Sequence, residues 1–256
     1  MKNFMRLDGP VLDKMKIDSG KIDDFSEYPF CLDIIKGLQE IIFPTQVTFF
    51  SGENGTGKST ILEAIAAKAG FGKEGGSKNI NFNTADETYA NQIERFMSCV
   101  TLSWRKKPND GYFFRAESFF NLANHIDRIA KDDCGVYASY GGKSLHEQSH
   151  GESFLALFKN RLGGGGFYIF DEPEAALSPQ RQLAFIRIIR DLCKNPESQF
   201  IIATHSPILL AYPNSTVYSC DGKKLEPIAY RDTDHYQITK GFLDNPDRYL
   251  KYLFAE

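Results

Sequence analysis

The sequence predicts an α/β fold with a mainly parallel β-sheet, and three observations support this prediction. The runs "FYIF" (167–170) and "SQFIIAT" (198–204) are short and largely apolar, which is typical of strands buried on both faces of a parallel sheet. Segments such as 178–194 carry apolar residues at helical spacing. The two kinds of segment alternate along most of the chain, as they do in folds built from β-α-β units.

Composition and charge are those of a globular protein with a substantial core. The chain has 256 residues, 42% of them hydrophobic, and a formal charge of −3. This balance does not indicate a nucleic-acid binder. The five cysteines are scattered and form no C-x-x-C pair, which favours reduced thiols in a cytoplasmic protein over a zinc site.

Neither a secretion signal nor a membrane span is expected. Residues 1–16 contain no long apolar run of the kind that signal peptides carry. No stretch approaches the roughly 20 apolar residues that a membrane-spanning helix needs. We therefore expect no direct membrane insertion.

The elements of the N-terminal part are predicted as follows. The run "YPFCLDII" (28–35) predicts an early strand. "TQVTFF" (45–50) predicts a buried strand, because it is β-branched and aromatic and a glycine follows it closely. "STILEAIAAKAG" predicts a helix that starts at Ser59 and is stopped by Gly70.

The elements of the remaining chain follow the same rules. "CVTLSWRKK" and "GYFFRAESFF" predict strands around a Pro-Asn-Asp-Gly turn. Helices are predicted at 119–130, 151–162 and 178–194, the last with Pro179 in its first turn. The region 85–148 interrupts the alternation of strands and helices. We therefore predict a core over 1–84 and 149–256, with 85–148 as a small inserted helical or mixed subdomain.

A glycine-rich loop directly follows the strand at 45–50. Gly52–Ser59 matches the pattern G-x-x-x-x-G-K-[ST]. The glycines let backbone N–H groups point at phosphate oxygens, and the next helix adds its positive N-terminal end. Lys58 can reach the β- and γ-phosphates, and the Ser59 hydroxyl can bind Mg²⁺. The residues predicted to bind the nucleotide here are Gly52, Asn54, Gly55, Thr56, Gly57, Lys58, Ser59 and Thr60.

Two acidic residues follow the strand "FYIF". The carboxyl end of such a strand lies beside the phosphate loop in a doubly wound sheet, so Asp171 is predicted to bind Mg²⁺ directly or through water. Glu172 is predicted to polarise the attacking water as general base. Taken alone, the sequence Asp-Glu-Pro could equally open a turn. The phosphate loop in the same chain favours the catalytic interpretation.

A histidine follows the other apolar strand in the same way. A lone histidine is commonly structural or solvated. We expect the strand at 198–204 to neighbour the Asp171 strand, which places His205 within reach of the γ-phosphate. His205 is therefore predicted to sense that phosphate.

With these motifs in this order, the chain resembles the ATP-binding-cassette ATPase family over almost its whole length. Gly52–Ser59 corresponds to the Walker A loop and 167–172 to Walker B with the catalytic glutamate. Residues 175–178 resemble the D-loop, and His205 resembles the switch histidine. The resemblance implies ATP and Mg²⁺ as ligands and a P-loop NTPase fold.

The family signature is matched by "QSHGE" at 148–152, where L-S-G-G-Q is usual. In this family two cassettes sandwich two ATP molecules head to tail, and the signature of one caps the γ-phosphate held by the other. The resemblance therefore implies an ATP-dependent homodimer, with Ser149, Gly151 and Glu152 at the partner's nucleotide. An ordinary helix cap at Ser149 is the alternative.

Four positions depart from the family pattern or stay open. His150 replaces a glycine of the signature, and Glu152 its glutamine. The glutamine of the Q-loop is missing, and either Glu117 or Arg115 could replace it, with Glu117 the better candidate for a metal contact. The aromatic residue that stacks on adenine could be Tyr28 or Phe30, and both could equally belong to the core.

Within the superfamily, "THSPILL", "FFRAESFF" and the tail at 233–254 look like small bacterial predicted ATPases, labelled AAA-family or ABC-type, without a membrane domain. The resemblance implies a Mg²⁺-dependent ATPase and leaves the cellular role of this group unassigned. Our first hypothesis is that the ATP cycle acts on an unknown protein partner, in DNA repair or phage defence. The alternatives are the nucleotide-binding subunit of a membrane transporter and a binding module that hardly turns over. A nucleic-acid partner has weak support from the basic run 105–107, because such runs are more often solvated turns.

Overall fold

The computed structural model describes residues 9–72, 75–76, 87–130, 135, 137, 142, 144 and 150–255. The strands of these residues are β1 (Leu12–Ile17), β2 (Glu40–Ile42), β3 (Val47–Ser51), β4 (Val100–Trp104), β5 (Gly111–Arg115), β6 (Phe167–Asp171), β7 (Gln199–Ala203), β8 (Thr216–Ser219) and β9 (Glu226–Pro227). The α-helices are α1 (Asp33–Lys36), α2 (Lys58–Ala69), α3 (Glu87–Cys99), α4 (Phe119–Ile129), α5 (His150–Arg161), α6 (Pro179–Leu192), α7 (Pro207–Leu210), α8 (Asp234–Asp244) and α9 (Pro246–Leu253).

The strands form two sheets. The larger sheet has the order β5-β6-β7-β3-β8-β9, and all its pairings are parallel except that of the edge strand β9. The smaller sheet has the order β2-β1-β4 and is antiparallel. The predicted α/β fold with a mainly parallel sheet is therefore confirmed, and β7 neighbours β6 as expected.

The central strands form where the sequence is apolar on both faces. All five positions of β3, of β6 and of β7 are buried. Alternate side chains enter two hydrophobic clusters on opposite sides of the sheet, so Phe50 and Ile169 belong to one cluster while Phe49 and Phe170 belong to the other. Helix α2 covers the first face, and α5 and α6 cover the second.

The helices start and stop where the sequence indicates. Helix α2 ends at Gly70, whose φ of 93° is the left-handed conformation that glycine adopts at little cost. Helix α6 begins with Pro179, as predicted, since the first helical turn needs no amide hydrogen from that residue. These boundaries set the direction in which each helix leaves the sheet.

One sequence-based prediction is wrong. The run 28–35 is not a strand but a turn followed by α1. Pro29 has no amide hydrogen for a ladder, and Ile34 and Leu38 recur at the helical spacing of four. The two strands predicted around the Pro-Asn-Asp-Gly turn are present as β4 and β5. They do not pair with each other, because β4 pairs with β1 and β5 pairs with β6.

The segment 85–148 contributes to both sheets. Its strand β4 completes the small sheet, and its strand β5 forms the edge of the large one. The core therefore includes more of this segment than the sequence suggested, because β5 carries the buried residues Tyr112, Phe113 and Phe114. The domain boundaries at 85 and 148 stay a prediction.

An aromatic cluster fixes α5 and α6 to the sheet. The Phe185 ring on α6 lies 4.8 Å from Phe158 on α5 and 5.0 Å from Phe170 on β6, measured between ring centroids. Phe185 is fully buried. Such aromatic contacts contribute beyond the area that they bury.

Truncating this ring should destabilise the fold. We expect Phe185→Ala to lower the free energy of unfolding by about 3–5 kcal/mol, because it leaves a cavity between α5, α6 and β6. Urea denaturation followed by circular dichroism measures this. The matched control is Leu183→Ala on the same helix, where the side chain is 59% exposed and the change should stay within about 0.5 kcal/mol. Equal losses in the two variants would contradict the packing described.

Candidate functional site

The phosphate loop lies between β3 and α2, and its glycines are required by its shape. Gly57 has φ 100°, and a Cβ atom there would lie 3.0 Å from Ile34 Cγ2 and 3.1 Å from a Leu32 methyl carbon. The loop therefore packs against the segment around α1 so closely that a side chain would collide. Asp221 supports the start of the loop by accepting a hydrogen bond of 2.6 Å from the Glu53 amide.

Lys58 is buried inside this loop. Its Nζ donates hydrogen bonds to the carbonyl oxygens of Gly52 and Glu53, at 2.6 and 2.8 Å. Burial lowers the pKa of Lys58, because the ammonium group loses water, while nearby acidic groups oppose this change. The ammonium group is held at the mouth of the loop, where phosphate oxygens would compete with the carbonyls for it.

Ser59 connects the loop to the end of β6. Its hydroxyl donates a hydrogen bond of 3.0 Å to Asp171 Oδ1. Asp171 is 6% exposed, and burial raises its pKa to about 6, although Arg115 and the Ser59 hydrogen bond oppose the shift. A hydroxyl and a carboxylate oxygen side by side are ligands that suit Mg²⁺.

Arg115 ends β5 directly opposite Asp171 in the strand register. Its Nε lies 3.8 Å from Asp171 Oδ2, and its Nη1 lies 2.8 Å from Glu63 Oε1 on α2. Glu117 is also within 3.4 Å of the guanidinium group, but its side chain is 86% exposed. Of the two candidates for the missing Q-loop glutamine, Arg115 therefore lies against Asp171, while the Glu117 side chain is largely exposed.

Glu172 has an unusual backbone conformation. Its φ and ψ are 50° and 53°, the left-handed region that a residue other than glycine adopts at a cost. Its amide donates to Ala203 O at 3.0 Å. Its Oε1 lies 3.2 Å from Nε2 of His205. The two predicted catalytic residues are thus within hydrogen-bonding distance.

Two further side chains support the backbone around His205. Half-buried Glu174 accepts a hydrogen bond of 2.5 Å from the His205 amide, and the loss of solvent around its carboxyl group raises the pKa of Glu174. Gln182 on α6 donates to Leu177 O at 3.0 Å and accepts from the Ser206 hydroxyl at 2.5 Å. Gln182 therefore links the predicted D-loop to the residue that follows His205.

A cleft of about 310 Å³ lies over the phosphate loop. Predicted nucleotide-binding residues line it, namely Asn54, Gly55, Gly57, Lys58, Ser59 and Thr60. Glu117 and Glu172 line it as well, so the cleft brings a predicted metal ligand and the predicted base to the loop. Gly52 lies below it, where its carbonyl holds Lys58, and the Thr56 hydroxyl donates to Glu53 O at 2.9 Å.

The structure distinguishes the two aromatic candidates for adenine stacking. Tyr28 lines the cleft, and its hydroxyl lies 2.7 Å from the Thr60 hydroxyl. Phe30 is 2% exposed and packs edge to face against Phe96. Phe30 is therefore a core residue, and Tyr28 is the one that faces the nucleotide cleft.

The predicted signature lies at the border of the described chain. Ser149 is outside the described residues. Helix α5 begins at His150, so Gly151 and Glu152 fall in its first turn, and their side chains are likewise outside the description. The placement of all three against a second nucleotide stays a prediction.

Metal ligands are sparse in the described residues. There, no group of three His, Cys, Asp or Glu side chains is close enough to hold an ion by itself. The pair of Ser59 and Asp171 nevertheless fits Mg²⁺, which is commonly bound by one or two protein oxygens while water and phosphate oxygens complete its shell.

Sequence reasoning missed Glu63, Glu174 and Gln182. Glu63 had a usable signal, because it lies four residues after Ser59 and so on the same face of α2. The roles of Glu174 and Gln182 depend on contacts between separate loops, which no local pattern reveals.

Two family models match separate parts of the chain. One, described as "AAA domain", matches residues 22–148, which include the phosphate loop. The other, described as "AAA domain, putative AbiEii toxin, Type IV TA system", matches residues 153–211, which include Asp171, Glu172 and His205.

Curated relatives match at low identity. The macrolide export ATP-binding/permease protein MacB of Hahella chejuensis is 20% identical over 213 residues, which are 74% of this chain and 30% of that protein. MacB of Marinobacter nauticus is 22% identical over 227 residues, which are 79% of this chain and 33% of that protein. The aligned part of this chain thus spans about a third of the length of these relatives.

Two solved structures also have a similar fold. MJ1267, an ATP-binding cassette of an ABC transporter, has a TM-score of 0.47 and 16% identity and covers 94% of this chain and 98% of its own. The SMC head domain from Thermotoga maritima has a TM-score of 0.40 and 18% identity and covers 86% and 98%. No helix in the described part of the chain has both the length and the apolar character that crossing a bilayer requires.

Replacing the lysine of the loop should remove nucleotide binding. We expect Lys58→Ala to weaken ATP binding by at least about tenfold, because a buried cation that contacts phosphate oxygens is lost. Titration with a fluorescent ATP analogue measures the affinity. Lys68→Ala, an exposed lysine on the same helix, is the matched control and should bind like the wild type. Unchanged affinity in Lys58→Ala would contradict the position of the nucleotide.

Proposed function

We propose that this chain, which is an ATPase of the ABC type, hydrolyses ATP at a Mg²⁺-dependent centre where the phosphate loop meets the ends of β6 and β7. One observation carries the proposal: the Ser59 hydroxyl on α2 lies 3.0 Å from Asp171 at the end of β6. This contact unites the triphosphate-binding loop and the acidic pair in a single site.

The phosphate loop binds and orients the triphosphate. Backbone N–H groups between Gly52 and Ser59 and the N-terminal end of α2 attract phosphate oxygens. Lys58 exchanges its carbonyl partners for the β- and γ-phosphates. Tyr28, at the edge of the cleft, is the residue that we propose to contact the base.

The proposed ligands of Mg²⁺ are Ser59 and Asp171, with Glu117 as a further contact from the cleft wall. The ion, when bound, neutralises charge on the β- and γ-phosphate oxygens. Arg115 lies beside Asp171 and pairs with Glu63, so it fixes the carboxylate from the side opposite Ser59.

Glu172 and His205 act on the reacting water and the γ-phosphate. Glu172 accepts a proton from the water as general base. His205 Nε2, 3.2 Å from Glu172 Oε1, holds the carboxylate in place and lies where it can contact the γ-phosphate. The left-handed backbone of Glu172 aims its side chain away from the core and into the cleft.

A second copy of the chain completes the site. The side chains of Glu172 and His205 are 38% and 25% exposed, whereas hydrolysis of a bound triphosphate is favoured where bulk water is excluded. In the proposed head-to-tail dimer, Ser149, Gly151 and Glu152 of one copy cover the γ-phosphate bound by the other. The start of α5 at His150 supports this, since a helix N-terminus attracts anions.

The partner that uses the ATP cycle is proposed to be a protein with a role in DNA repair or phage defence. The description of the model over 153–211 as a putative toxin of a toxin–antitoxin system supports a defence role. The alternative, a nucleotide-binding subunit of a transporter, is favoured by the MacB relatives.

Free thiols at Cys31, Cys99 and Cys193 support a reducing, cytoplasmic location.

Removing the proposed base should separate binding from hydrolysis. We expect Glu172→Gln to bind ATP like the wild type, to release phosphate at least about 100-fold more slowly, and to accumulate as a dimer with Mg·ATP. Phosphate release and size-exclusion chromatography measure these effects. Glu226→Gln, an exposed glutamate on β9, is the control. A Glu172→Gln protein that hydrolyses normally and stays monomeric would refute the assignment. Affinity capture with this variant and ATP then distinguishes a permease from a soluble protein or nucleic acid.

A large charged side chain at the signature should prevent dimer formation without affecting ATP binding. We expect Ser149→Arg to bind ATP as a monomer with wild-type affinity and to form no dimer, even when combined with Glu172→Gln. Ser19→Arg, at an exposed position after β1, controls for the added arginine. ATP-dependent dimers of Ser149→Arg would mean that the signature is elsewhere.

A further inference from the structure

Helix α8 reaches the proposed reaction centre through one side chain. His235 lies in the first turn of α8, and its Nε2 atom is 3.1 Å from Nδ1 of His205. The two imidazole rings meet edge to face, with centroids 4.8 Å apart and an interplanar angle of 90°. His235 therefore contacts His205 on the side of the ring that faces away from Glu172.

The partners of His205 determine which of its ring nitrogens carries hydrogen. An ionised carboxylate only accepts hydrogen bonds, so His205 Nε2 must carry a hydrogen to bond Glu172 Oε1. In a neutral imidazole Nδ1 is then an acceptor, and His235 Nε2 must be the donor to it. This tautomer is assigned from the hydrogen-bonding partners. His235 thus donates a hydrogen bond to His205, and His205 donates one to Glu172.

The first turn of α8 is held firmly enough to act as a support. Thr233, 3% exposed, caps the helix by accepting from the Tyr236 amide, and its hydroxyl donates to Tyr230 O at 2.7 Å. Helix α8 packs against α7, which begins two residues after His205. The hydrogen bonds of Thr233 and the packing of α8 against α7 therefore help to set the position of the His235 ring relative to His205.

We propose that His235 is a positioning residue for ATP hydrolysis, which holds the His205 ring with its Nε2–H directed at Glu172 and the γ-phosphate. In this proposal His235 acts only through His205 and not by contact with the nucleotide or the attacking water. The inference rests on the proposed function, in which His205 and Glu172 serve the same phosphate. It also makes α8 a structural part of the reaction centre.

The test replaces the hydrogen bond and keeps the ring. His235→Phe retains an aromatic ring at the contact but cannot donate, so we expect kcat for phosphate release to fall about tenfold with KM for ATP unchanged. His235→Gln can donate from an amide nitrogen at similar reach, and we expect it to restore most of the lost kcat. Ile238→Ala, an exposed position on α8, is the control for the helix itself. ATP titration confirms that each variant is folded.

A double-variant cycle distinguishes this inference from the proposed function. We expect His205→Ala to lower kcat at least about 100-fold and His205→Ala/His235→Phe to be no slower than His205→Ala alone. Additive losses, a His235→Phe protein with wild-type kcat, or a His235→Gln protein as slow as His235→Phe would overturn the inference alone. Wild-type turnover in His205→Ala would overturn the proposed role of His205 and the inference with it.

Discussion

The hydrogen bond between Ser59 and Asp171 is the contact on which the arrangement of the site depends. Strand β7 lies between β3, which leads into the phosphate loop, and β6, which ends in Asp171. The hydrogen bond therefore connects elements that lie on either side of β7. The segment that follows β7 leaves the sheet between the strands that lead to Ser59 and to Asp171. His205 lies in that segment. The strand order alone thus brings a lysine, a hydroxyl, two carboxylates and an imidazole to one edge of the sheet.

Charged side chains are buried at this edge of the sheet although removing them from water is energetically unfavourable. Asp171, Glu63 and Arg115 are largely buried between an apolar sheet and α2, and removing charges from water is unfavourable. Pairing offsets the cost, since the guanidinium group of Arg115 lies against both carboxylates. Apolar side chains at these positions would not have required this unfavourable desolvation. Such exceptions to simple burial are expected where a protein binds or transforms a charged ligand.

Local patterns predicted the central elements well because those elements are governed by local chemistry. The runs that became β3, β6 and β7 are apolar on both faces, and Gly70 and Pro179 mark a helix end and a helix start. The loop Gly52–Ser59 could be identified because its spacing carries its own physical meaning.

The remaining features depend on contacts between distant segments. A turn sequence of the kind found in hairpins joins the strands at 100–104 and 111–115. The two strands nevertheless do not pair with each other, because β4 pairs with β1 and β5 pairs with β6. His235 is separated from His205 by 30 residues. No periodicity of the tail predicts that its first helix should touch the centre of the site.

In the proposed function, ATP is hydrolysed at one centre that a second copy of the chain completes. Its most direct test is the rate of phosphate release per mole of wild-type protein, measured over a wide range of protein concentrations, with Mg²⁺ and with a chelator. We expect release only with Mg²⁺, and a molar rate that rises with protein concentration until dimer formation saturates. A molar rate that is independent of concentration and survives chelation would contradict it.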